Sequence, residues 1–168
     1  CVKGCSRLMY SCHMAVRVFF FTLIGLALCS GSQAKGDPAL RSGEPGPTLV
    51  AVGDIMLAGS AKSILEEKGY AFPFQDPCLA KIISSADVAF ANLEFPVARQ
   101  GQAFQNKQFI FKGSRTSLAA IRRAGFDLLS LANNHSMDYG ADGLESTIQA
   151  CKSFKLTPVG AGIRLEEA

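Results

Sequence analysis

The chain has 168 residues, 48% of them hydrophobic and 18% charged, with a formal net charge of +3, enough for one domain with a full core or for part of a larger one. Lys3, Arg7 and Arg17 are the only basic residues before residue 35 and no acidic residue precedes it, so from Lys35 onward the charges balance. A neutral folded part gives no charge argument for nucleic acid or another polyanion, and no nucleic-acid partner is expected.

Arg17 precedes the apolar run 18–29, which has the length of a signal-peptide hydrophobic region and is short for a bilayer span. Ser32-Gln33-Ala34 then puts small residues at the two positions a signal peptidase reads. With Met14 as the start, residues 14–34 read as a signal peptide for export, and residues 1–13 as an upstream segment that is not native protein. Cys1, Cys5, Cys12 and Cys29 fall outside the mature chain on this reading. Cys78 and Cys151 remain, each on the apolar side of a predicted helix, where they can pair or stay buried thiols. Residues 35–47, rich in Gly, Pro and Ser, read as a flexible linker.

The fold is expected to begin at Thr48. Residues 48–54 read as a strand ending in a Gly-Asp turn, and residues 59–68 as a helix with Ile64 and Leu65 inward and Gly69 as its stop. Asp76-Pro77 opens the next helix, Asp as cap and Pro at the first helical position, with Leu79, Ile82 and Ile83 on its buried face. Residues 86–94 form a second buried strand, 96–108 a polar loop, and Phe109-Ile110-Phe111 a short edge strand. A helix over 116–124 buries Leu118 and Ile121 and is closed by Gly125. The apolar run after Asp127, up to Ala132, is a third strand. Asp142 caps a helix whose Leu144, Ile148, Cys151 and Phe154 share one face. Residues 156–162 start a fourth strand. Such a βαβαβαβ order demands a mostly parallel sheet with helices against it.

Chemistry gathers where strands end. Asp54 closes the first, Asn92 and Glu94 the second, and Asn133, Asn134 and His135 the third; the carboxyl edge of an open α/β sheet is where ligands bind. Carboxylate, amide oxygen and imidazole make a mixed O/N donor set suited to divalent Mn, Mg, Fe or Zn. Such a cluster can lower the pKa of a bound water and deliver it as a nucleophile, while His135 can protonate a leaving group. Each residue also has a plainer reading. Asp54 can cap a helix, Asn133-Asn134 can be turn residues, His135 a satisfied structural residue, and Glu94 a solvated loop charge. Asp138 and Tyr139 shape the turn and support His135. The coincidence of three strand ends favours a site.

Gly53–Leu57 (GDIML), Asn92–Pro96 (NLEFP), residues 124–147 (AGFDLLSLANNHSMDYGADGLEST) and 159–162 (VGAG) closely resemble the CapA family of bacterial poly-γ-glutamate capsule-synthesis proteins, grouped with calcineurin-like metallophosphoesterases. The resemblance covers residues 48–168. It implies an αββα sandwich of which this chain supplies the first, mostly parallel βαβαβαβ half, so that the chain is expected to be the N-terminal portion of a longer domain. It also implies an exported or membrane-associated protein that works on poly-γ-glutamate or another envelope polymer, alongside membrane-associated capsule machinery. By position Asp54 matches a metal-binding aspartate, Glu94 (or Asn92) the bridging acidic position, Asn134 the metal-binding asparagine and His135 the catalytic histidine. Met56 and Asn133 stand where the superfamily motifs have histidine and glycine, and His135 is the only histidine after residue 13; an incomplete metal site is therefore expected. Two functions compete: a metal-dependent hydrolase or transferase, and a non-enzymatic factor that holds the polymer during export. A nucleotide-binding domain is disfavoured, because residues 53–63 lack the glycine spacing of a phosphate loop.

Overall fold

The computed structural model describes residues 46–168, so the upstream segment, the signal peptide and all but the end of the linker lie outside the described residues. Four strands, β1 (Leu49–Ile55), β2 (Val88–Leu93), β3 (Leu128–Ser130) and β4 (Thr157–Val159), form one parallel sheet in the order β1-β2-β3-β4. The connections hold α1 (Lys62–Lys68), α2 (Pro77–Ser84), α3 (Arg115–Ala124) and α4 (Gly140–Ser153). In a sheet whose strands follow chain order, right-handed crossovers put the connecting helices on the same face. Burial agrees: Ala89, Ala91, Leu93, Leu129 and Leu131 join the core with Ile83, Leu118, Ile121, Ile148 and Cys151. Val88, Phe90, Asn92, Leu128 and Ser130 alternate onto the other face and are half-buried. This is one helix-backed sheet, the half sandwich that the sequence implies.

Local chemistry explains most element ends. The Asp76 carboxylate accepts from the N–H groups of Cys78 and Leu79, each at 2.9 Å, and Pro77 takes the first helical position. Ser114 and Ser117 cap α3 reciprocally, and Gly125 (φ 104°) ends it in the left-handed conformation. Along α4, Leu144, Ile148, Cys151 and Phe154 all meet the core as their spacing requires. Burial pushes the Cys151 thiol up to about 12.

One irregularity sets the site. Ala51 pairs with Phe90, but Asp54 pairs with Asn92, so β1 carries one residue more than β2 between these rungs. Such a bulge resets the alternation of side chains. Without it Asp54 would point at the helices and Ile55 away; with it Ile55 is buried and Asp54 is exposed on the same face as Asn92.

Several expectations need correction. Phe109-Ile110-Phe111 is not a strand: the Phe111 N–H donates to the Asp138 carboxylate at 2.7 Å rather than to a neighbouring strand. Tyr139, not Asp142, precedes α4, and Asp142 sits in the first turn, where a carboxylate suits the positive end of the helix. Ile82 is 54% exposed, and Cys78 is exposed as well. α2 packs along the Leu79–Ile83 line, and Cys78 and Ile82, one turn apart on the neighbouring line, lie beyond that contact. β2, β3 and β4 are each shorter than the apolar runs that announced them. Among the described residues no helix is long and apolar enough to cross a membrane.

Candidate metal site at the carboxyl edge of the sheet

Asp54 at the end of β1 and Asn92 near the end of β2 are neighbours across the sheet, and the next rung places Ser130 beside Asn92. The Asn92 amide donates to Asp54 Oδ1 at 2.7 Å and to Glu94 Oε2 at 2.5 Å, so one NH2 group spans two carboxylates. Its oxygen accepts from Asn133 Nδ2 at 3.0 Å, and the same Asn133 nitrogen donates to the Leu93 carbonyl at 2.9 Å.

Asn133 also opens the turn that follows β3. Its Oδ1 accepts from the His135 N–H at 2.9 Å and from Ser136 Oγ at 3.2 Å, the local side-chain pattern that lets Asn initiate turns. The Asp138 N–H returns to the His135 carbonyl at 3.0 Å. This winding brings the wholly buried Asp138 carboxylate to 2.9 Å from His135 Nδ1, so that Nε2 of the ring faces Glu94 Oε1 at 3.9 Å. Burial pushes the Asp138 carboxyl up, but the Lys107 ammonium, the Phe111 N–H and the His135 ring outweigh it and hold the group below its ordinary value.

The sequence-derived set therefore divides. Asp54, Asn92, Glu94 and Asn133 form one hydrogen-bonded network, and His135, backed by Asp138, adjoins it through Glu94. Asn134 is exposed and joins through its main chain, its carbonyl accepting from Lys107 Nζ at 2.5 Å. The sequence reading missed two contributors, both in the connection between β2 and α3. Lys107 ion-pairs with Asp138 and lies 3.3 Å from His135 Nδ1. The Phe111 ring packs on the His135 ring with centroids 4.4 Å apart, and the same ring lies against Gly59. A Cβ at Gly59 would come within 2.9 Å of that ring, at a positive φ of 61°.

As a metal site the edge fits in kind more than in arrangement. Two carboxylates, amide oxygens and an imidazole are the hard-to-borderline donors that divalent Mn, Mg, Fe or Zn accept. Among the described residues, however, no three His, Cys, Asp or Glu side chains converge to hold an ion. The Asn92 NH2 lies between the two carboxylates, satisfying them as a cation would.

Comparison with known proteins gives a consistent picture. Residues 48–168 match the family described as bacterial capsule synthesis protein PGA_cap. The capsule biosynthesis protein CapA of Bacillus anthracis is 34% identical over 118 residues, covering 68% of this chain and 28% of that protein. The PGA biosynthesis protein CapA of Bacillus subtilis (strain 168) is 33% identical over 118 residues, covering 70% of this chain and 30% of its own length. A probable polyglutamine synthesis accessory protein of Mycobacterium tuberculosis is 29% identical over 82 residues, covering 49% of this chain and 22% of its own. The chain thus spans about 30% of the length of the two CapA relatives or less. With the match running from the first residue of the folded part through all four strands and the edge cluster, this chain belongs to the bacterial capsule synthesis protein family.

Proposed function

We propose that this chain is part of an exported protein of poly-γ-glutamate or related envelope-polymer synthesis, in which the carboxyl edge of the sheet is a divalent-metal site for hydrolysis or transfer at a phosphoester or amide bond. The observation that carries the reading is the pair Asp54–Glu94, two carboxylates tied to one amide, with Glu94 Oε1 3.9 Å from the His135 imidazole, in a chain of the capsule synthesis family. Asp54 and Glu94 would hold the ion, with Asn134 as a further ligand by its position in the motif. The metal, Mn, Mg, Fe or Zn, would supply an activated water.

The chain's own residues have separate tasks. Asp54 and Glu94 concentrate negative charge that would repel a polycarboxylate, and a bound divalent cation would offset that repulsion. The β2–α3 connection, residues 95–114, carries Arg99, Lys107 and Lys112 and no acidic residue, and Lys107 reaches the turn after β3, which favours an anionic polymer at this end of the sheet. His135, oriented by Asp138, presents Nε2 toward the edge, where it can exchange a proton with a leaving group. Residues 14–34 direct export on this reading, placing the protein in the periplasm, outside the cell or at the membrane surface.

The test measures bound metal and turnover together. Full chain dialysed against Mn²⁺ is expected to retain the ion, Asp54→Ala to lose it, and poly-γ-glutamate or a phosphodiester to be turned over by the first and not the second. A second reading, a non-enzymatic polymer-holding factor, is favoured by the Asn92 amide standing between the carboxylates. Polymer binding of equal strength in the wild type, in Asp54→Ala and in chelator, with no turnover in Mn²⁺, would favour it over the hydrolase.

A further inference from the structure

We propose that Lys107 is a positioning residue for His135: from the connection between β2 and α3 it clamps Asp138 and the Asn134 carbonyl, fixing both the tautomer and the orientation of the imidazole. The inference rests on the reading that His135 serves the edge site, and concerns how that ring is set.

Asp138 has no exposed surface, so its carboxylate must have all its charge answered by protein groups. One oxygen, Oδ1, is taken by the Lys107 ammonium. The other, Oδ2, takes the Phe111 N–H at 2.7 Å and lies 2.9 Å from His135 Nδ1. A carboxylate offers only acceptors, so the ring nitrogen facing it carries the proton. A proton on Nδ1 follows, with Nε2 directed at the edge where Glu94 Oε1 stands 3.9 Å away.

Lys107 does more than neutralise. Its nitrogen also donates to the Asn134 carbonyl at 2.5 Å and lies 3.3 Å from Nδ1. It thus touches the backbone just before His135, the ring itself and the acid that holds the ring. Remove the ammonium, and Oδ1 of a buried carboxylate loses its partner and the peptide before His135 its anchor. Asp138 can then turn, and the ring is free to exchange tautomers. Lys107 reaches this turn across 27 to 31 residues of sequence, so the ring is set only when the β2–α3 connection is seated.

The experiment is imidazole NMR on full chain labelled with ¹⁵N-histidine, the His135 signals assigned by their loss in His135→Gln and the core followed through Leu129 methyl groups. At a pH high enough to deprotonate the imidazolium, wild type is expected to show a single pattern with the proton on Nδ1. Lys107→Met is expected to show averaged or mixed tautomer signals with Leu129 unchanged, and Lys107→Arg, which keeps the charge and donors, to restore the single pattern. An unchanged His135 pattern in Lys107→Met overturns the proposal. If Lys107→Met does not fold, Lys107→Arg decides: the single Nδ1–H pattern supports the proposal, and averaged signals around an intact core overturn it. No turnover is involved, so failure of the hydrolase reading would leave these spectra as they are, and failure here would leave the metal and Asp54 results standing.

Discussion

The two halves of the edge are built on different principles. The turn after β3 is assembled from its own short stretch of sequence: Asn133, His135, Ser136 and Asp138 bond to one another and to the backbone between them, and three of the four are buried. The end of β1 has no such local support. Asp54 is exposed, and it reaches the network through Asn92, 38 residues away, because a bulge turns it to the correct face. One half is pre-set by local bonding; the other depends on register. Folding stability should therefore be concentrated in the first half and in the bulge, and function in the exposed carboxylate.

The largest effect should come from inserting one alanine between Ala91 and Asn92. With the added residue opposite the bulge, β1 pairs evenly with β2, which drives the side chains of Asp54 and Asn92 toward the helices and those of Ile55 and Leu93 out of the core. Burying an unpaired carboxylate costs at least several kcal/mol, so the variant is expected to lose cooperative unfolding in a calorimeter. A cooperative transition near that of the wild type would mean that the bulge does not set the register.

Asp138→Asn should be next. Removing one member of a buried ion pair costs about 3–5 kcal/mol; Lys107, with 25% of its side chain exposed, can regain water, so about 2–3 kcal/mol is expected from urea unfolding at neutral pH. The folded carboxyl lies below its ordinary value of 3.8, so its stabilisation is present above that value and is lost as pH falls through the folded one. The gap between wild type and Asp138→Asn should accordingly close in acid. A gap that persists at low pH would show that the cost comes from packing instead.

Asn133→Ala should cost less, about 1–2 kcal/mol, since its bonds lie in a half-buried place that water can reach in part. Hydrogen exchange at the His135 N–H is expected to speed up more than exchange within α3. The smallest stability change belongs to Asp54→Asn, within about 0.5 kcal/mol for an exposed side chain, although metal retention should be abolished. A large loss of stability there would erase the contrast between the halves.

Much of the scaffold was readable from residue order. Asp76-Pro77, the Leu118–Ile121 pair and Gly125 announce α2 and α3 because caps and helix faces are local physics. The gathering of Asp54, Asn92, Glu94 and the Asn133–His135 turn was readable too, since polar residues that end apolar strands must share an edge. Three things were not. The bulge at Gly53 leaves no trace in the pattern of β1, whose neighbour in the sheet is needed to count residues. Lys107 lies in a tract without periodicity, and its role depends on where a long connection comes to rest. Phe109 to Phe111 have the composition of a strand, but the buried carboxylate of Asp138 competes for the Phe111 backbone and wins. Ile82 shows the limit of apolar counting in a two-turn helix, where only one line of side chains finds the core.

Cys151 gives the molecule a built-in clock. Reagents that alkylate sulfur attack the thiolate, and a thiol held near 12 in the middle of α4 offers almost none at neutral pH while that helix stays packed. Cys78, exposed, should be consumed first. The slow capture that remains would then time the departure of α4 from the sheet, and comparing that rate between the Asp138 and Asp54 substitutions would reveal which end of the crevice keeps the helix seated.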